Sequence, residues 1–137
     1  MVEFALSAPL FLILFTTCFQ FGYYFYIYDR LEAAVRDGAR YASVRAYNST
    51  TSTPASDFAA AVQNVVVYAS PAGGSQLVVP GLASSNVNLS VTMNNDVPSQ
   101  MRVSITGYQI NAVFGTWTLS GKPVAIFRYE GRLAPSS

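Results

Sequence analysis

The side chains that most enzymes use for chemistry are sparse in this sequence. It contains no histidine and one cysteine, Cys18, so it offers neither an imidazole base nor a cluster of nitrogen and sulfur metal ligands. The carboxylates beyond residue 40 are Asp57, Asp96 and Glu130, which are far apart in the sequence. No nucleophile stands beside a base, and no glycine-rich phosphate loop precedes a helix. We therefore predict that the protein is not an enzyme and takes no cofactor and no small-molecule substrate.

The polar triplet 94–96 has two interpretations. Asn94, Asn95 and Asp96 offer the oxygen ligands that calcium prefers. Asn and Asp are also favoured in hairpin turns, because their side chains bond to the nearby backbone. We favour the turn and predict no metal site. The net charge of +1 also gives no electrostatic reason to expect nucleic acid as a partner.

A polar linker rich in serine and threonine covers residues 48–56. Its triplet 48–50, like the triplet 88–90, matches the acceptor pattern for N-linked sugar, and its hydroxyls are candidates for O-linked sugar. Two such matches are close to chance in a chain this rich in Asn and Ser, and an unmodified flexible linker is the alternative. The candidate acceptors are Asn48, Ser49, Thr50, Thr51, Ser52 and Thr53.

A long apolar run, residues 4–28, contains no charged residue. As a helix it would reach about 38 Å, against a bilayer hydrocarbon core of about 30 Å. This length predicts a transmembrane helix, and the aromatic residues between 19 and 28 are typical of an interfacial belt.

Glu3 stands at the edge of this run, where a charge is costly: insertion scales assign about 2.5–3.5 kcal/mol to a carboxylate in mid-membrane. In one interpretation it is protonated or extends toward the headgroups. In the other it is an assembly residue that pairs with a positive group of a neighbouring chain, most simply a free N-terminal amine. We favour pairing, because it explains why a single carboxylate stands beside an otherwise uncharged helix.

The helical pattern continues beyond the apolar run to about residue 46. Leu31, Val35, Gly38 and Ala42 recur at spacings of three and four, which places them on one helical face and predicts that they pack against a head domain. The sequence thus predicts one rod of roughly 65 Å. Residues 1–28 form its hydrophobic part and residues 29–46 form its amphipathic part.

Two residues within the hydrophobic part have special backbone properties. Pro9 removes one backbone hydrogen bond, which predicts a kink near residues 5–9. Gly22 offers a point of close approach between helices.

The remaining sequence predicts a second helix and a small sheet. Thr53-Pro54 is a helix start signal, and the inner face of that helix would comprise Phe58, Ala61, Val62, Val65 and Ala69. The period then changes from 3.6 to two in residues 87–93, 101–106 and 124–129, which predicts three strands. Residues 76–79 predict a short edge strand, and residues 114–117 a loop.

Two helices followed by consecutive strands predict an α+β fold with an antiparallel sheet of three to four strands. Residues 29–137 would form this head domain behind the 1–28 helix.

Several of these stretches resemble the TadE/TadF-like family of pseudopilins from bacterial tight-adherence pilus systems. The resemblance is most specific in the first third of the chain and also includes the end of the closing strand. It lies in Val2-Glu3-Phe4-Ala5-Leu6 with Pro9, Phe21-Gly22, Ala33-Ala34, Arg36-Asp37-Gly38-Ala39-Arg40-Tyr41-Ala42 and Phe127-Arg128-Tyr129-Glu130.

The resemblance implies a prepilin-like history, in which a prepilin peptidase removes a basic leader and the helix leaves the inner membrane to pack inside a filament. Relatives carry a glutamate at the fifth mature position, which pairs with a neighbour's terminal amine; here the glutamate is the third residue. Gln20 stands where many relatives have an acidic residue. The assembly residues that the resemblance implies are Glu3, Phe4, Pro9, Phe21 and Gly22.

We therefore predict a pilin or pseudopilin of a tight-adherence, type IV-like pilus that polymerises through its N-terminal helix. Its expected partners are copies of itself or related pilins, the inner membrane before assembly, the prepilin peptidase and the pilus assembly machinery. Its final location would be the extracellular filament. The alternative is a bitopic membrane protein whose outer domain binds a partner without polymerising.

Overall fold

One helix, α1 (Val2–Val44), accounts for the first third of the chain in the computed structural model, which describes residues 1–133. Pro9 lies inside this helix. The helix ends slightly before the predicted residue 46, because Arg45 is extended and the Tyr47 N–H donates to the carbonyl of Arg132, 2.9 Å away. A contact with the other end of the chain therefore sets the end of α1.

The two parts of α1 have different surroundings. Residues 1–19 contain no buried residue, and Phe4 and Phe15 are 77% and 75% exposed. From Gln20 onward one face of α1 is buried by the rest of the chain. A single helix thus carries both an uncovered apolar segment and one wall of the core.

The second helix, α2 (Ser56–Tyr68), packs against α1 and begins later than predicted. Its N-cap is Ala55, so the Thr53-Pro54 start is wrong. The hydroxyl of Ser49 donates to the carbonyl of Thr53 at 2.8 Å, which keeps this part of the linker in its own turn. Ala69 is also not on the inner face: it is exposed and forms the left-handed C-cap.

Three antiparallel strands, in the order β1–β2–β3, form the sheet: β1 (Val87–Asn94), β2 (Val97–Ala112) and β3 (Gly115–Arg128). The alternation predicted for β1 and β2 is confirmed, since Val91 lies opposite Met101 and both are buried. The turn between these strands is also confirmed, with Asn95 and Asp96 at φ 50° and 62°. The α+β prediction is correct.

Two sequence predictions about the sheet are wrong. Residues 76–79 form no strand; the N–H of Val78 instead donates to the carbonyl of Val67, and Val79 is buried. Residues 115–117 are not a loop, because they pair with the end of β2 and begin β3, while Val113 and Phe114 form the turn. Cross-strand pairing therefore lengthens both strands beyond what their alternation indicates.

The end of the β2–β3 hairpin extends beyond β1. The β1 pairing stops where Val87 meets Ile105, whereas β2 and β3 remain paired as far as Ala112 and Gly115. We call residues 106–121 the hairpin arm. It continues as two strands along α1 toward the apolar segment.

The segment after β3 fastens the end of α1. The N–H groups of Glu130 and Gly131 both donate to the carbonyl of Ser43 at 2.9 Å, which satisfies a carbonyl in the last turn of α1. Tyr129 is buried, and its hydroxyl accepts from the Tyr47 N–H at 2.9 Å. The same hydroxyl lies 2.9 Å from the carbonyls of Arg45 and Arg132, to either of which it can donate.

We expect Tyr129→Phe to lower the free energy of unfolding by about 1–3 kcal/mol, because it removes the hydroxyl and leaves buried backbone groups with fewer partners. Thermal or denaturant unfolding of the full chain would measure the loss. Tyr68→Phe is the matched control, since Tyr68 is only partly buried on α2. Equal stability of the Tyr129 variant and the parent would contradict this role.

Candidate assembly surface

The N-terminal part of α1 presents a large apolar surface in which the described chain buries no residue. We call residues 2–19 the apolar rod. A contiguous exposed apolar surface of this kind usually marks a contact with protein or lipid. Its large side chains that are more than half exposed are Val2, Phe4, Leu6, Leu10, Phe11, Leu12, Ile13, Leu14, Phe15 and Phe19.

The predicted assembly residues at the start of α1 are all at the surface. Glu3 is in the first turn, Phe4 is 77% exposed, and Pro9 is exposed within the helix. Within residues 1–133 the ion pair joins Arg36 to Glu32, and Glu3 has no such partner. Its carboxylate is therefore free to meet a group from outside the chain.

Phe21 and Gly22 stand just beyond the apolar rod. Phe21 is 56% exposed. A Cβ added to Gly22 would meet no atom within 4 Å, so no contact inside the described chain requires a glycine there.

Leu31, Val35, Gly38 and Ala42 lie together on the buried face of α1. Leu31, Val35 and Ala42 have no exposed surface. At Gly38 a Cβ would come within 2.3 Å of the Cγ2 methyl of Val66, which is closer than real side chains approach. The missing side chain lets α2 pack closely against α1.

The candidate glycosylation residues are not equivalent. Thr50 to Thr53 are exposed, whereas Asn48 and Ser49 are partly buried. The side-chain nitrogen of Asn48, the atom that would carry an N-linked sugar, donates to both carboxylate oxygens of Asp57 at 2.8 and 2.9 Å. An attached sugar would replace one of the two hydrogens with which this nitrogen makes these bonds.

These hydrogen bonds lower the pKa of Asp57 from its usual 3.8, with Asn48 as the main cause and the Phe58 N–H as the second. Because the pKa is lower in the folded chain, the carboxylate contributes stability above the unfolded pKa, and that contribution is lost as pH falls through the folded pKa.

We expect the melting temperature of the parent to fall below about pH 4. In Asp57→Asn and Asn48→Ala this fall should be smaller, because the first variant lacks the titrating carboxylate and the second lacks the main group that lowers its pKa. Melting curves at neutral pH and at successive acidic values would measure the difference. Parallel acid profiles for the parent and both variants would rule out this contribution.

The hairpin arm contacts the C-terminal half of the apolar run 4–28. The hydroxyl of Tyr24 donates to the carbonyl of Gly115 at 3.2 Å, and the Tyr24 and Trp117 rings meet edge to face with centroids 5.9 Å apart. Closer to the N-terminus of α1, residues 111–113 line a cleft with Thr16 and Gln20. Gln20 is 9% exposed, and its side-chain oxygen has no hydrogen-bond partner in residues 1–133.

Sequence reasoning missed this contact, which includes Gln20, Tyr24 and Trp117. A signal was present: residues 103–121 contain no charged side chain, and Arg102 and Lys122 flank them. Such a stretch is unusual for strands in water, and it indicates an environment in which charge is costly.

Comparison with known proteins gives one family match. Residues 1–40 match the family model of TadE-like protein. The match confirms the family resemblance over these residues. No curated protein and no solved structure matches the chain.

The matched segment contains the apolar rod and most of the buried face of α1. The helix is long and apolar enough to cross a membrane. The N-terminal segment is therefore similar to the TadE-like family, and it joins an uncovered apolar part to one wall of the core.

Proposed function

We propose that the chain is a non-enzymatic structural subunit, a pilin or pseudopilin of a Tad-type pilus, that polymerises through α1. The single observation that carries this proposal is the apolar rod, which the rest of the described chain leaves uncovered. In a filament, copies of the rod would cover one another. The 1–28 segment would then form the filament core, and residues 29–137 the head.

Burial of the apolar rod would supply most of the assembly energy. Each Leu- or Phe-sized side chain moved out of water contributes about 1.5–3 kcal/mol. An exposed ion pair contributes about 0–1 kcal/mol. Ten such apolar side chains therefore outweigh any surface charge pair, and Glu3 would act mainly on register and on the choice of partner.

Gly22 and Glu3 fit this role. The open space around Gly22 gives a neighbouring helix room to approach, as glycines do in packed apolar helices. Glu3 is exposed and would pair with the N-terminal amine of an adjacent subunit, so that both charges are satisfied inside an apolar core.

Before assembly, the same rod would hold the subunit in the inner membrane. There a prepilin peptidase would process the chain, and the pilus assembly machinery would extract it. The mature subunit would end in an extracellular filament together with copies of itself or with related pilins.

Electron microscopy of fibres sheared from producing cells, with immunogold detection of this chain, tests the proposal. We expect labelling along the fibres or at one end, and loss of labelling when Leu14→Lys places a charge on the apolar rod. Val97→Lys is the matched control, because it places the same charge on an exposed residue of the head, at the far end of β2 from the hairpin arm. A parent chain that stays in the membrane as a lone monomer would support the bitopic alternative and contradict the proposal.

A further inference from the structure

The end of the hairpin arm lies beside α1 at a level that a bilayer should reach. Val113 shares a cleft with Thr16 and Gln20, and the carbonyl of Gly115 is bonded to Tyr24. The arm therefore lies along the stretch 16–24 of α1, inside the uncharged run that extends to residue 28.

The number of helical residues needed to cross a bilayer indicates how deep residues 16–24 of α1 lie in the hydrocarbon core. Glu3 marks the far edge of the uncharged run. Residues 4–15, which precede the arm, reach about 18 Å, whereas the hydrocarbon core is about 30 Å thick. Filling it from Glu3 takes about 20 helical residues, to about residue 23. The part of α1 beside the arm then extends from about 12 Å below the head-side boundary of the hydrocarbon, at Thr16, up to that boundary, near Tyr24.

The surface chemistry of the arm suits this position. Its turn and the following strand expose Val113, Phe114 and Trp117 by 80%, 66% and 63%. The whole arm, residues 106–121, lacks charge, and its base is marked by Lys122. Trp117 packs on Tyr24, and Trp and Tyr are both enriched at the level of lipid headgroups.

The backbone of the arm limits how deeply it can enter. Beyond β1 both outer edges of the hairpin lack a strand partner among residues 1–133, and unpaired backbone groups are not tolerated in hydrocarbon. The arm can therefore occupy the boundary between headgroups and acyl chains, about 5–10 Å deep, where water and headgroups still reach its edges.

We infer that, while α1 spans the membrane, the tip of the hairpin arm (Val113, Phe114 and Trp117) docks into the lipid interface on the head side. This inference rests on the membrane-resident stage of the proposed function and goes beyond it, because it assigns a lipid contact to the head. The docked arm fixes the height and rotation of the head relative to the bilayer. Extraction into a filament must then release this contact.

A lipid surface explains the arm better than a second copy does. Charge is absent from the arm and from the facing part of α1 together, as expected if both enter one low-dielectric layer. The exposed apolar side chains of the arm are also continuous with the apolar rod, the surface that the bilayer would cover.

The chain carries one tryptophan, Trp117, and one cysteine, Cys18, which is exposed on the apolar rod. These two residues allow the arm and the helix to be monitored separately in the full chain, reconstituted at low density in phosphatidylcholine vesicles. Brominated acyl chains quench nearby tryptophan, and a water-soluble maleimide reports whether Cys18 is accessible.

We expect Cys18 to be protected and Trp117 to lose emission in the brominated vesicles, as an indole about 5–10 Å into the boundary should. Bromines near the carbonyl end of the acyl chain should quench more than bromines near the methyl end. In the double variant Val113→Asp with Phe114→Asp, quenching should fall while Cys18 stays protected. The matched control is Val97→Asp, which is 49% exposed at the opposite end of β2 and should behave as the parent does.

Protected Cys18 with unquenched Trp117 would overturn the inference and leave the membrane anchor and the filament role intact. A blue-shifted but unquenched Trp117 would also overturn it, because protein rather than lipid would then cover the tip. Freely labelled Cys18 would contradict membrane residence, and the inference with it. Circular dichroism of the double variant establishes that the head remains folded.

Discussion

Glu3→Ala is expected to leave the protein in the membrane and to reduce its incorporation into filaments by more than about 20-fold. The carboxylate has no ion-pair partner within residues 1–133, so its loss costs the isolated subunit little. In a filament, losing one partner of a desolvated charge pair costs about 2–5 kcal/mol. Each 1.4 kcal/mol corresponds to a factor of ten in an equilibrium. Quantitative blotting of sheared fibres against the membrane fraction measures the change.

Two further variants sharpen this test. Glu3→Gln keeps the shape of the side chain and some of its hydrogen bonding. We therefore expect it to reduce incorporation into filaments less than Glu3→Ala does. Glu32→Ala removes a carboxylate that already pairs with Arg36 on the exposed side of α1, and it should assemble normally. Normal amounts of Glu3→Ala in sheared fibres would remove Glu3 from the proposed assembly contact.

Gly38→Leu is expected to lower the melting temperature of the head, by about 8–16 °C if the net cost is about 2 kcal/mol. Even the first carbon of the new side chain would lie 2.3 Å from Val66 Cγ2, and Val66 is fully buried. Overpacking of this kind costs about 1–3 kcal/mol or more, whereas the gain in helix propensity is at most about 1 kcal/mol. One kcal/mol shifts the melting temperature of a domain this size by about 4–8 °C. Near-ultraviolet circular dichroism of the full chain reports the loss of head packing.

Gly22→Leu is the matched comparison, because a side chain there meets no atom of the chain within 4 Å. It should leave the melting temperature of the head unchanged while reducing incorporation into filaments. Gly38→Ala, with a smaller clash, should lie between Gly38→Leu and the parent. An unaltered melting temperature in Gly38→Leu would contradict the close packing of α1 on α2.

The local patterns predicted the elements well where neighbours in sequence decide the structure. Charge is absent over residues 4–28, and Leu31 and Val35 recur at helical spacing; both features are local, so α1 and its two environments could be predicted. The alternation around Val91 and Met101 likewise predicted β1 and the middle of β2. Each of these features depends on the hydrophobicity of side chains that are close in the sequence.

The tertiary structure decided what depends on contacts between distant segments. The end of α1 is set by the pairing of Tyr47 with Arg132, and the start of α2 by the turn that the Ser49 hydroxyl holds. The lengths of β2 and β3 follow from their mutual pairing. The alternation of apolar and polar residues within either strand alone does not indicate this pairing. The position of Trp117 beside Tyr24 exists only because that pairing carries the hairpin arm along α1.

The sequence by itself thus determined a long apolar helix and an α+β head behind it, because the composition and the hydrophobic period of each segment indicate which side chains it buries. Only the tertiary structure decided that Gly38 packs against Val66 and that the hairpin arm lies beside residues 16–24 of α1. The physical reason is that burial requirements are local, whereas the partner that satisfies them is chosen by shape and hydrogen bonding across the whole chain.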